Sequence, residues 1–497
     1  MNQPILHGLL AYDRKECYSW HMPGHKRKLN TIFPQTVENP FRIDVTEVGD
    51  LDEFHHPDGI IQEAFERAAK IYGAKRSYYL VNGSTCGLLA AISAVCKSGD
   101  SLIVARNCHK SVYNALRLLN IEPIYIMPEW NETLGMFGGI DKEVVKNTLL
   151  AHSKAKGIIL VSPTYEGVIS DIEQISELAH EAGIPLIVDA AHGAHFEYMR
   201  ETEKKEDSNK ALYLPAIRAG ADLVIESLHK TLPAMTQCAI LHENSQLIDR
   251  NRLEEFLSIY QSTSPSYVFM ATMEACIEKM NSERNGLCIL YQERLNQYRK
   301  RLEQLTHIRL VKEDDFIPYC GYGYDVGKLV FFVEHCGIMR QGRVCPVDGV
   351  VLGEILEQEY GQIMEMAGGN YVIAMTSIAD NDEAFEALEQ AMRSIDERLM
   401  DLEKSADNLL YNIIPKQHMR IAKAREQEAE EVPIKEAVGR VSHEYIYVYP
   451  PGIPLIVPGE IFSVEILNEI EKAIDKQLNI KGLVKREHQI YLSVIKS

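Results

Sequence analysis

A chain of 497 residues, 46% of them apolar, can bury more than one hydrophobic core. Its formal net charge of −19 argues against a nucleic-acid partner and leaves a cationic ligand electrostatically welcome. No apolar run reaches membrane-spanning length, the early charges Asp13, Arg14, Lys15 and Glu16 leave no signal-peptide core, and ten cysteines follow no paired spacing, so a cytoplasmic protein with reduced thiols is expected.

In chain order, residues from about 1 to 75 read as an irregular arm, expected to wrap a partner subunit, followed by a helix over Ile60 to Tyr72 with apolar positions at helical spacing. Ser77 to Val81 reads as an apolar strand, and Asn82, Gly83, Ser84, Thr85, Cys86 and Gly87 lead from it into an alanine-rich helix. Strand, glycine turn, hydroxyls and helix make an anion cradle, because free N–H groups and the positive end of the helix dipole face the turn. The next strand, Ser101 to Ala105, delivers His109 to a position where its imidazole can lie against a flat ring. Gly157 to Ser162, Ile172 to Ala182 and Ile184 to Asp189 then alternate as strand, helix and strand, the pattern of a parallel sheet covered on both faces. The last of these ends on Asp189, and the strand Ala221 to Glu226 runs directly into Ser227 and Lys230. Both groups should therefore emerge from one edge of one sheet. Helices over Arg250 to Tyr260 and Tyr267 to Arg301 link this unit to a small α+β lobe. The clearest elements of that lobe are strands Lys328 to Glu334 and Tyr371 to Ser377 and a last helix over Asn381 to Leu402. A charge-rich helix ending near Glu431 precedes a C-terminal unit that starts at Val432, with a strand over Tyr445 to Pro450 and a rigid proline-rich segment before Glu460.

The five residues Ser227, Leu228, His229, Lys230 and Thr231 place one lysine among groups suited to gripping a phosphate. That pattern suggests pyridoxal phosphate held as a Schiff base, and a buried Asp189 opposite the ring nitrogen would keep that nitrogen protonated. Metal binding is set aside. His192 and His195 with Asp189, or His55 with His56, lack a further ligand at a recognisable spacing. Gly321-Tyr322-Gly323 lacks the third glycine of a dinucleotide fingerprint and reads as a turn, and the charged run from Arg200 to Lys210 reads as a solvated loop.

The chain resembles the ornithine/lysine/arginine decarboxylase family of fold-type I pyridoxal-phosphate enzymes. The motifs that carry the likeness are His21-Met22-Pro23-Gly24-His25-Lys26, Asp44-Val45-Thr46-Glu47, Asp189-Ala190-Ala191-His192-Gly193-Ala194-His195, Ser227-Leu228-His229-Lys230, Ser262-Thr263-Ser264-Pro265-Ser266-Tyr267 and Tyr449-Pro450-Pro451-Gly452-Ile453-Pro454. The resemblance implies that Lys230 carries the cofactor, Asp189 pairs with its ring nitrogen and His109 stacks on the ring, with Ala191 and His192 beside it. Ser84, Thr85, Ser227 and His229 would hold the phosphate, and Thr263 would reach the phosphate of the neighbouring subunit, which makes a homodimer with shared sites. The likeness is to the short form without an N-terminal wing. It implies an arm and helix over 1–75, an α/β cofactor-binding large domain over 76–305, a small α+β domain over 306–402 and a C-terminal decarboxylase domain over 403–497.

Substrate choice requires a carboxylate facing an ammonium or a guanidinium. Glu47, Asp50, Asp52 and Glu53 crowd one loop, and Glu460 follows the proline-rich segment that the resemblance places near the active-site entrance. Arginine is the first choice, through likeness to the short biosynthetic decarboxylases, with lysine and ornithine as rivals. Two other readings stay open: an aminotransferase or lyase using the same cofactor, and a non-catalytic scaffold.

Overall fold

A computed structural model describes residues 4–15, 17–27, 39–49, 51–199, 214–340, 342–403, 413–448, 452–476, 478–486 and 489–496. The run from Arg200 to Lys210, Asp50, and the residues Tyr449, Pro450 and Pro451 of the proline-rich motif lie outside the described residues. Among the described residues no helix is long and apolar enough to cross a membrane.

The centre is a seven-stranded sheet built from β1 (Arg76–Leu80), β2 (Ser101–Ala105), β3 (Glu122–Ile126), β4 (Ile158–Val161), β5 (Leu186–Asp189), β6 (Leu223–Glu226) and β7 (Ala239–Glu243). Their order across the sheet is β1-β7-β6-β5-β4-β2-β3. From β6 to β3 every pairing is parallel, while β7 runs antiparallel to both of its neighbours. β5 and β6 are buried at every position, as expected of strands covered by helices on both faces. This is the α/β architecture that the alternating sequence pattern implies.

The register fixes what the sheet presents. Ile225 lies opposite Asp189, and the Ala190 N–H donates to the Ile225 carbonyl at 2.9 Å, so Asp189 and Ser227 leave adjacent strands at the same edge. Two helices open onto that edge: α2 (Gly83–Val95), which follows β1, and α3 (Lys110–Leu118), which follows β2. Below them, α1 (Ile60–Tyr72) buries Ile61, Ala64, Phe65, Ala68, Ala69 and Tyr72 on one face and ends at Gly73, whose φ of 71° is the left-handed cap conformation.

The small lobe carries an antiparallel four-stranded sheet in the order Ile308–Leu310, Lys328–Val333, Tyr371–Met375, Met366–Gly368. The C-terminal unit has its own apolar cluster, in which Phe462, Ile466, Ile470, Leu492 and Val494 are buried.

Three expected elements differ. The helix expected over Tyr267 to Arg301 is two helices, Tyr267–Ser282 and Arg284–Leu302. At the break the Ser282 hydroxyl donates back to the Glu278 and Lys279 carbonyls, competing with the backbone ladder. The last helix of the small lobe stops at Asp396, and Leu399–Asp401 is instead a strand paired with Cys336, Gly337 and Ile338. Asp396 turns its carboxylate onto the N–H groups of Thr306, His307 and Ile308 at 2.7–2.8 Å, a tertiary use invisible in a helical pattern. The charge-rich stretch before Glu431 ends not in a helix but in the strand Ala429–Pro433, which pairs with the strand Gln489–Ile495. Long-range pairing overrides local helix propensity there.

Candidate active site

Asp189 is 3% exposed at the end of β5, and its Oδ1 accepts the Ala191 N–H at 3.2 Å. Burial pushes this carboxyl above the usual carboxylate range, and the positive charge of Lys230, then His109, pulls it back. The carboxylate is thus held out of water, within electrostatic reach of Lys230 and His109.

Ser84 and Thr85 occupy the first turn of α2, and the Ser84 hydroxyl lies 2.6 Å from that of Ser227. Two separate strand ends therefore meet in one hydroxyl pair. The preceding Gly83 has a φ of 73°, a turn geometry that a side chain would strain. Asn82 does not cap the helix with its side chain but donates to the Tyr260 carbonyl at 3.3 Å, so the first-turn N–H groups have no side-chain cap from it. His229 is fixed by contact of its Nδ1 with the Cys238 carbonyl at 2.9 Å. The Thr231 hydroxyl is buried and has no partner among the described residues.

His109 is the N-cap of α3, and its Nδ1 contacts the Ser111 hydroxyl at 2.7 Å. The imidazole is exposed and lines a cavity of about 150 Å³ shared with Thr85, Lys110, Ser111, Asn114, Tyr447 and Gly452. Tyr447 and Gly452 come from the C-terminal unit, which the Lys110 ammonium joins by donating to the Tyr447 hydroxyl at 3.3 Å. Gly452, in the segment before Glu460, thus lines this cavity beside His109.

Lys230 projects from the short helix Leu228–Thr231, its Nζ 3.1 Å from His192 Nε2. Burial pushes its amine below the ordinary lysine range, opposed by Asp189 and Glu365. The turn that carries it is braced by the His21-to-Lys26 motif. The Gly24 N–H donates to the His229 carbonyl at 2.8 Å, and a Cβ at Gly24 would stand 2.8 Å from the Leu232 carbonyl oxygen. Lys26 is buried, donating to the Ser19, His21 and Met375 carbonyls at 3.1, 3.0 and 2.7 Å. The motif thus ties both lobes to the Lys230 turn.

The carboxylates weighed as substrate contacts are spread apart. Asp52 accepts N–H groups from Asp58, Gly59, Ile61 and Gln62, an anchor for the start of α1, and its own carbonyl accepts from the Tyr267 hydroxyl. Glu47 is half-buried and accepts the Phe54 N–H at 2.8 Å, while Glu53 is exposed. Glu460 is fully buried and forked onto Arg106 at 2.8 and 2.9 Å, with Val457 N–H donating a further bond at 2.8 Å. Both of its oxygens are thereby committed to joining the C-terminal unit to the end of β2, and a substrate cation would have to displace an arginine to reach them. Glu460→Ala leaves a buried guanidinium unpaired, and a loss of about 3–5 kcal/mol is expected as a drop in the urea midpoint. An unchanged midpoint would contradict the bracing role.

Thr263 is exposed on the loop between Arg250–Tyr260 and Tyr267–Ser282, next to Ser262, whose carbonyl lies 2.9 Å from His55 Nε2. Ala191 is buried beside Asp189. Groups of three side chains able to hold a metal are, among the described residues, His307 with Cys336 and Asp401, and Glu129 with Asp141 and Cys320. Neither includes a residue of this edge.

Sequence reasoning missed Lys328, Glu365 and Tyr165. Lys328 Nζ lies 2.9 Å from His192 Nδ1, and Glu365 accepts both the Tyr165 hydroxyl at 2.7 Å and the Met22 N–H at 2.9 Å. Lys328 opens a small-lobe strand, where a lysine gives no local signal of facing inward.

The profile described as "Orn/Lys/Arg decarboxylase, major domain" matches residues 3–317, and the one described as "Orn/Lys/Arg decarboxylase, C-terminal domain" matches residues 404–479. An arginine decarboxylase of Bacillus subtilis (strain 168) is 32% identical over 96% of this chain and 95% of its own length. One of Halalkalibacterium halodurans is 31% identical over 96% and 95%. Among solved structures, the Francisella novicida lysine decarboxylase LdcF superposes with a TM-score of 0.76 at 19% identity, covering 100% of this chain and 79% of that one.

Proposed function

Since this chain belongs to the Orn/Lys/Arg decarboxylase family, we propose that it converts L-arginine to agmatine and CO2 with pyridoxal 5'-phosphate as cofactor. The observation that carries the arginine reading is the likeness, over nearly the full length of both chains, to two relatives named arginine decarboxylase.

The edge of the sheet suits that cofactor. A buried carboxylate at the end of β5, the Ser84–Ser227 hydroxyl pair at a helix turn without a side-chain cap, and the Thr231 hydroxyl next to Lys230 in the chain, buried with no partner among the described residues, support this reading. When bound, pyridoxal phosphate supplies an electron sink for the pair left on the substrate's α-carbon as CO2 departs. Ser84, Thr85, Ser227 and the first-turn N–H groups of α2 would hold its phosphate. His229, with Nδ1 committed to Cys238, can donate from Nε2 only when protonated, a state that a dianionic phosphate favours. Asp189 would keep a proton on the ring nitrogen, His109 would cover the ring face, and Lys230 would carry the group through its Nζ. Each turnover takes up one proton at the α-carbon, which Lys230 or the neighbouring His192, 3.1 Å from it, would supply.

Thr263 is read as a phosphate contact to the neighbouring subunit, which makes the working unit a homodimer. Thr263→Ala is expected to weaken cofactor retention by about tenfold, the value of one hydrogen bond to a charged group. Equilibrium dialysis would measure it, and unchanged retention would count against the shared site. The test of the whole proposal is to incubate the loaded protein separately with arginine, lysine and ornithine and weigh CO2 against the amine formed. Agmatine is expected; cadaverine or putrescine would reassign the substrate, and a keto acid would replace decarboxylation with amino transfer.

A further inference from the structure

Where two sheets of the small lobe meet, three side chains of different chemistry converge. They are the His307 imidazole, the Cys336 thiol and the Asp401 carboxylate, whose ligating atoms all lie within 4.8 Å of one another. His307 stands just before the strand Ile308–Leu310, in which Ile308 pairs with Val333. His335, at a φ of 54°, lies between that sheet and the next, and Cys336 opens the middle strand of a three-stranded sheet. Asp401 lies directly opposite Cys336 on the antiparallel neighbour, so the two side chains leave one face of that pair.

The backbone beneath these groups is fixed by bonds of its own. The His307 N–H donates to the Asp396 carboxylate at 2.7 Å, and the Leu402 N–H donates to the His335 carbonyl at 2.6 Å, closing the strand pair that carries Cys336 and Asp401. Cys336 is buried, while the Asp401 side chain is exposed, so the cluster runs from the core out to water.

His307 Nδ1 lies 3.3 Å from Asp401 Oδ1. Two ligands of one tetrahedral zinc ion, each about 2.0–2.1 Å from the metal, stand about 3.3 Å apart. A plain imidazole–carboxylate hydrogen bond gives a similar spacing but makes no use of a thiol. Here Cys336 Sγ completes the triangle, with the Glu334 carbonyl oxygen at 3.2 Å and the His307 carbonyl oxygen at 4.0 Å. Oxygens on both sides of the sulfur make a setting that favours a cation. A nitrogen, a sulfur and an oxygen donor together suit zinc, whereas calcium and magnesium take oxygen alone.

We propose that His307 Nδ1, Cys336 Sγ and Asp401 Oδ1 form a Zn²⁺ site that clips the two sheets of the small lobe together, with water in the fourth position. The thiol releases its proton to solvent as the sulfur–zinc bond forms, and nothing is oxidised or reduced. The site shares no residue with the proposed cofactor site and does not rest on that reading.

The test uses the full-length protein, stripped with a chelator, dialysed free of it and titrated with cobalt(II) sulfate and then zinc sulfate. The red visible bands of a four-coordinate cobalt thiolate, clear of the cofactor's own absorption, are expected to saturate at one cobalt per chain and to bleach with zinc. Cys336→Ser should abolish them. His307→Gln and Asp401→Asn should weaken Zn²⁺ binding by at least about 100-fold, since loss of even an outer partner of a metal ligand costs about 10–100-fold. Cys320→Ser, in the separate group with Glu129 and Asp141, should change nothing. No cobalt thiolate band in the wild type, a band that survives Cys336→Ser, a band lost in Cys320→Ser, or unchanged Zn²⁺ affinity in Asp401→Asn would each overturn the proposal. Because the Asp401 side chain is exposed, that last variant decides the matter even where Cys336→Ser fails to fold.

Discussion

Lys230→Ala is expected to lose at least about 10³-fold in CO2 release, the scale on which removal of an essential nucleophile is felt. The lysine stands alone on its short helix, braced from behind by Gly24 and contacted by His192. Its backbone is held by the Gly24 N–H on the His229 carbonyl, while its amine is buried beside His192. Truncation therefore removes chemistry more than structure, and the unfolding midpoint should hold within about 1 kcal/mol. Lys230→Arg should not rescue, because a guanidinium stays protonated and cannot act as a free amine. Turnover in either variant comparable to the wild type would remove the central residue from the site.

Asp189→Asn should keep the fold and lose about 10²–10³-fold in rate at saturating cofactor, the cost of deleting one preorganised electrostatic partner. The amide can still accept the Ala191 N–H seen at 3.2 Å, and it fills the same volume at the end of a fully buried strand. What it lacks is charge. A ring nitrogen facing a neutral amide would have no counter-ion to hold its proton, so the electron sink would weaken while the Ser84–Ser227 hydroxyl pair proposed to hold the phosphate is left in place. Steady-state rates beside a cofactor titration separate the two effects. A rate near the wild type would mean that Asp189 is a buried carboxylate without a part in the chemistry.

How far the sequence could be read depended on how local each constraint was. β5 and β6 are continuous aliphatic runs, so their ends, and with them Asp189 and Ser227, could be placed before any coordinates. The cradle was legible for the same reason, since strand, glycine, hydroxyls and helix lie within one short stretch. Asp52 was not. Read as one of a crowd of acids facing a substrate, it reaches across to the N–H groups of Asp58, Gly59, Ile61 and Gln62, farther along the chain than the usual capping signal. Glu460 finds Arg106 from the other end of the chain, and Lys328 finds His192 across the two lobes. Such pairs are set by tertiary packing, and neither partner carries a periodicity that announces the other. The helix breaks at Glu283 and after Asp396 belong to the same class, being settled by where one side chain bonds and not by propensity.

The most direct measurement is to load the full-length protein with pyridoxal 5'-phosphate, reduce it with borohydride, digest it and find the modified lysine by mass. The phosphopyridoxyl group is expected on Lys230 alone, with the label lost in Lys230→Ala. Label on another lysine, or none at all, would contradict the assignment of this sheet edge as the catalytic centre.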